Sequence, residues 1–108
     1  MGEKEYLFYF TPDRENRFRY YHFLDGGRIV RFSIQYEALI DGKWHPIVRY
    51  DTAHNRPHKD LLHPDTPQEK IEYYGYTREE VLTIGERDIK TNWESYRLQY
   101  IQEMKRNV

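Results

Sequence analysis

The sequence predicts an α+β fold: an antiparallel sheet of four to five strands built from hairpins, with one long C-terminal helix packed on one face. Three observations carry this. Short runs of alternating apolar and polar residues, parted by turn-forming residues, fill the first half of the chain. A capping-box tetrapeptide, Thr77-Arg78-Glu79-Glu80, then opens a long stretch of helical periodicity. At 108 residues with no internal repeat or linker, the chain has the length of a single domain with one modest core.

Strands are expected at about residues 4–10, 17–24, 28–39 and 43–51. Thr11-Pro12-Asp13 and Asp25-Gly26-Gly27 mark the first two turns. In the third and fourth runs, Phe32, Ile34, Tyr36 and Ala38 alternate with Arg31, Ser33, Gln35 and Glu37. Trp44, Pro46, Val48 and Tyr50 alternate with His45, Ile47, Arg49 and Asp51. A two-residue Asp41-Gly42 loop would set Ile34 opposite Arg49 and mix the faces. A three-residue loop, Ile40-Asp41-Gly42, pairs Ala38 with Trp44, Ile34 with Val48, Phe32 with Tyr50, Arg31 with Asp51 and Glu37 with His45, and is the register expected. Pro46, which lacks an N–H, belongs at an edge position.

Residues 52–69 read as a histidine-rich loop. Pro57 and Pro64 break any helix there, so His54 and His58 are not the one-face helical pair that their spacing suggests. Residues 70–76 read as a further short strand. The helix should run from about 78 to 105. Val81, Gly85, Ile89, Trp93, Tyr96, Tyr100 and Met104 form its inward stripe, Glu79 and Glu80 suit its N-terminal dipole, and Lys105 and Arg106 its C-terminal one.

Composition removes several function classes. With no cysteine, disulfides, thiolate catalysis and cysteine-based zinc sites are excluded. A net charge of −1 argues against a general polyanion binder. No run reaches membrane-spanning length and the N-terminus lacks a signal-peptide pattern, so a soluble cytoplasmic protein is expected. The abundance of Glu, Lys and Arg fits a thermophile. With 11 tyrosines, the core must be built partly from rings whose hydroxyls need partners.

Functional groups concentrate between Val48 and Pro64. Two chemistries suit them. In an acid–base site that cleaves RNA, His54 and His58 are the base and acid, Asp51 and Asp60 orient them, and Arg49, Arg56 and Lys59 hold phosphate. In a metal site, His54, His58 and His63 ligate a divalent ion with Asp60 or Asp51 as the fourth ligand. No motif for any other cofactor is present. The competing reading is a solvated, inert turn, since histidine is common in polar loops. His22 and His45 read as ordinary strand histidines.

The string V-R-Y-D-T-A-H-N-R-P-H-K-D-L-L-H, with the hairpin before it, resembles a family of small uncharacterised bacterial and archaeal proteins. The resemblance runs from about Arg28 through the helix, leaving the N-terminal hairpin as a feature of this member. More distantly, Arg49-Tyr50-Asp51 followed by His54 and His58 is similar to the TumE-type toxins of toxin–antitoxin pairs. That similarity implies RNA as the target and a cognate antitoxin-like protein as partner. It departs at Thr52, where the toxin pattern has Asn. The alternative reading is a non-catalytic interaction module, with the Trp93–Tyr100 helix face as a partner or homodimer surface.

Overall fold

The computed structural model describes residues 1–106. Six strands, β1 (Gly2–Tyr9), β2 (Asn16–Asp25), β3 (Arg28–Ile40), β4 (Lys43–Asp51), β5 (His58–Leu61) and β6 (Glu69–Glu72), are followed by the helix α1 (Arg78–Arg106). The strands form one antiparallel sheet in chain order, β1 to β6, so each pairs with its sequence neighbour. The α+β class, the antiparallel sheet and the single long helix agree with the sequence. The count of four to five strands does not, because β5 lies inside the segment read as a histidine loop. β6 covers only the start of the run expected at 70–76.

The β3–β4 hairpin corrects the expected register. Its loop is the two-residue Asp41-Gly42, both with positive φ (52° and 75°), and Ile40 pairs with Lys43. The faces do not mix, because the register shifts between Tyr36 and Glu37 and Ile47 is left over. Beyond this bulge Tyr36 meets Val48 and Ile34 meets Tyr50, so both strands turn their apolar residues the same way. Arg31 therefore does not face Asp51, and Glu37 faces Pro46 rather than His45. β5 pairs only with residues 48–51, so the Pro46 position lies past its end, as a residue without an N–H requires.

α1 covers one face of the sheet. Its capping box forms: the Glu80 N–H donates to Thr77 Oγ1 at 3.1 Å, and the Thr77 N–H donates to Glu80 Oε1 at 2.9 Å. The predicted inward stripe is buried or half-buried along its length, from Val81 to Met104. It packs on Phe18, Ile34, Tyr36, Val48 and Tyr50, all at most 1% exposed. Trp93 stacks on Phe10 with centroids 5.3 Å apart, and Tyr100 is buried. The face proposed as a partner surface is thus part of the core, and the interaction reading loses its main support.

Among the described residues, the opposite face of the sheet carries no helix. This open face holds Glu5, Arg19, Tyr21, Ser33, Gln35, Arg49, Asp51, His58 and Asp60 of β1 to β5.

Candidate metal centre

Strand alternation assigns each functional residue to a face. Val48 and Tyr50 point to α1, so Arg49 and Asp51 point to the open face. On β5 the partners in register are His58 opposite Asp51 and Asp60 opposite Arg49. The pairing extends across the sheet in two rows. One runs Glu5, Tyr21, Ser33, Asp51, His58, Glu72. The next runs Leu7, Arg19, Gln35, Arg49, Asp60, Lys70. Directly opposed residues share a face and are close enough to interact, so the first row is a continuous polar path and the second is one from Arg19 to Lys70.

A tight turn brings β5 back against β4. Ala53–Asn55 make a single 3-10 turn, with His54 and Asn55 in the left-handed region (φ 63° and 62°). The Thr52 hydroxyl accepts from the Phe32 N–H at 3.1 Å and fixes the end of β4. The Ala53 N–H donates to Asp51 Oδ1 at 3.1 Å and fixes that carboxylate.

Asp51, His58 and Asp60 meet at this junction. Each offers a ligand atom, and these atoms lie within 4.8 Å of one another. Among the described residues this is the one such cluster of metal-ligating groups. His58 and Asp60 are each 3% exposed. His58 Nδ1 lies 2.9 Å from the Arg56 carbonyl oxygen. A carbonyl only accepts, so Nδ1 carries the proton and Nε2 is left to face the carboxylates. Asp51 Oδ1 is 2.9 Å from it and Asp60 Oδ2 is 3.4 Å from it. A bare imidazole lone pair between two carboxylates is repulsive, so a proton or a metal ion must sit at Nε2.

Arg49 borders the cluster. Its Nε and Nη2 lie 3.4 Å from Asp60 Oδ2, and Nη1 donates to Gln35 Oε1 at 3.1 Å. Even so, Asp60 Oδ1 is buried without a hydrogen-bond partner. An unsatisfied buried carboxylate oxygen costs about 1–3 kcal/mol or more, which a cation would remove.

Other sequence-predicted residues lie elsewhere. His54 is exposed and is used by the turn, so no His54–His58 acid–base pair is assembled. His63 lies between Glu103, at 2.7 Å from Nδ1, and Glu69, at 2.7 Å from Nε2. The three histidines therefore do not converge. Arg56 is on the surface, within 3.5 Å of Glu72 and Tyr74. Lys59 projects to the helix side, because β5 alternates. It donates to the Tyr96 hydroxyl at 2.7 Å and lies 3.4 Å from Asp88. Of the expected site residues, Asp51, His58, Asp60 and Arg49 come together; His54, His63, Arg56 and Lys59 do not join them. The loop reading hid this, since it gave no alternation with which to divide His58 from Lys59.

The sequence reading also passed over the neighbours on β1 to β3. An open cavity of about 500 Å³ lies beside the cluster, lined by Arg49 and Asp51 and by Glu5, Arg19, Tyr21 and Ser33, among others. The period-two pattern of these strands places them on one face and was a usable signal.

A fold of this kind, with a polar centre on the helix-free side of a meander sheet, now has a family. The chain belongs to the family described as Domain of unknown function (DUF7718), whose model matches residues 1–106. The match takes in the N-terminal hairpin, which is therefore a family feature and not an addition peculiar to this chain. No curated protein and no solved structure matches the chain. The similarity to TumE-type toxins gains nothing from this family, so RNA cleavage rests on no relative. Among the described residues, no helix is long and apolar enough to cross a membrane.

Proposed function

We propose that the protein is a divalent-metal-binding domain whose centre is formed by Asp51, His58 and Asp60. The observation that carries this is His58 Nε2, held by the Nδ1–Arg56 contact between two carboxylates, one with a buried and unpartnered oxygen. A backbone-fixed ring nitrogen is the usual second support of a metal-bound histidine. The spacing also suits a small ion. Ligand bonds of about 2.1 Å require ligand–ligand edges of about 3.0 Å in an octahedron and about 3.4 Å in a tetrahedron. The two edges at Nε2 are 2.9 and 3.4 Å. One imidazole with two carboxylates suits first-row ions such as Mn²⁺ or Zn²⁺.

Titration calorimetry of the metal-stripped protein with Mn²⁺ and Zn²⁺ tests this. One ion per chain is expected. Binding should be lost in His58→Gln and Asp60→Asn and retained in His54→Ala. No binding by the parent, or binding that survives both first variants, would assign Nε2 to a proton and discard the metal centre.

A further inference from the structure

We infer that the cavity beside the metal centre binds a small phosphate monoester, one phosphate oxygen bound to the metal and the rest of the group held by Arg19 and Arg49. This rests on the metal-binding reading and names what that site would take.

The route to the centre is one-sided. His58 and Asp60 are buried, whereas Asp51 lines the cavity. Three protein ligands leave one to three positions on an ion that takes four to six, and Asp51, the ligand that lines the cavity, marks the side from which an added ligand would reach it. An exogenous oxygen would complete the shell there.

The second row supplies cations beside it. Arg49 adjoins the cluster. Arg19 stands two strands away, about 10 Å across the sheet. Its Nε donates to Glu37 at 2.9 Å, its side chain is 50% exposed, and its terminal nitrogens make no hydrogen bond among the described residues. A guanidinium with free forked donors near a dication matches phosphate, which presents several oxygens at once. Tyr21 accepts from Arg31 at 3.2 Å and keeps its own proton to donate, and Ser33 lies beside Asp51 in the same row. At the far end Glu5, about 14 Å from Asp51 by strand spacing, would accept from hydroxyl or amino groups of the ester. The volume of about 500 Å³ is that of a small-molecule site.

Phosphorus NMR of inorganic phosphate and of adenosine monophosphate, recorded with the Mn²⁺-loaded full chain, tests the inference. Paramagnetic broadening well beyond that from the same free Mn²⁺ is expected for both, and tighter binding for the ester. Arg19→Gln should weaken ester affinity about tenfold while Mn²⁺ affinity, measured separately, stays at the parent value. Three results would overturn it: no added broadening with Mn²⁺ bound, an unchanged affinity in Arg19→Gln, or equal competition by malonate, which would make the ligand a carboxylate. If Mn²⁺ itself fails to bind, the metal centre fails first and this inference falls with it.

Discussion

Gly85 of α1 lies against Tyr50 of β4 so closely that a Cβ on the glycine would stand 2.7 Å from Tyr50 Cγ and 2.9 Å from Ile34 Cδ1. Both neighbours are buried, so neither can swing aside. Alanine would gain about 1 kcal/mol in helix propensity but impose overpacking of about 1–3 kcal/mol. Gly85→Ala is therefore expected to lose up to about 2 kcal/mol in urea denaturation. A gain in stability would show that the helix can lift off the sheet without cost.

His63 gives the fold a pH dependence. Hydrogen bonding to Glu103 first, and then to Glu69, raises its pKa above the ordinary 6.5. A raised folded-state value means the contribution is fully present below 6.5 and fades as pH rises through the folded value. The stability difference between the parent and His63→Gln should thus be largest near pH 6 and shrink toward pH 9. Thermal melts across that range would expose the error if the difference instead grew.

Glu79 acts at the acid end. The Arg28 guanidinium first, and the Ile29 N–H next, lower its pKa to about 2. Its contribution is present above the ordinary value of 4.5 and lost as pH falls from there toward 2. Because the pair is solvent-accessible, the effect should be small and salt-sensitive. Glu79→Gln should flatten part of the acid limb of the melting curve at low ionic strength, with little difference in 1 M salt.

Metal loading should also register as stability. An ion that binds only the folded chain, at 100 times its Kd, adds about 2.7 kcal/mol. For a domain of this size that raises Tm by roughly 10 °C or more. Scanning calorimetry should show the rise in the parent, its reversal by EDTA, and neither in Asp60→Asn.

The turn residue His54 offers a control. A left-handed non-glycine residue carries a local cost of about 1 kcal/mol. His54→Gly is expected to stabilise the chain by several tenths of a kcal/mol, measured by chemical denaturation, with metal affinity unchanged. A lost affinity would return His54 to the centre.

The helix was legible in the sequence because its signals are local. The Thr77–Glu80 box and the Val81–Met104 stripe each lie within one element and point the same way. The register of β3 and β4 was not, because the bulge at Tyr36 and Glu37 answers to partners on both faces at once. Choosing a loop length alone cannot express a hairpin whose phase changes midway. β5 was missed for a related reason. His58-Lys59-Asp60-Leu61 is polar on both sides, since Lys59 meets Tyr96 and Asp88 behind the sheet while His58 and Asp60 meet Asp51 and Arg49 in front. Without an apolar alternation, a strand reads as a loop. The histidines were correctly seen as close in sequence, but only His58 falls at a position facing both carboxylates.

The strand order has a consequence for how the chain is made. With every strand beside its sequence neighbour, the sheet can assemble progressively as the polypeptide leaves the ribosome. The polar front is then complete once β6 has emerged. The other side, with Phe18, Ile34, Tyr36, Val48 and Tyr50, stays bare until residues 78–106 follow. Nascent chains stalled before the helix would present a sticky aromatic wall to the surrounding solvent, and chaperone capture or aggregation should peak at that length and vanish when residues 78–106 dock.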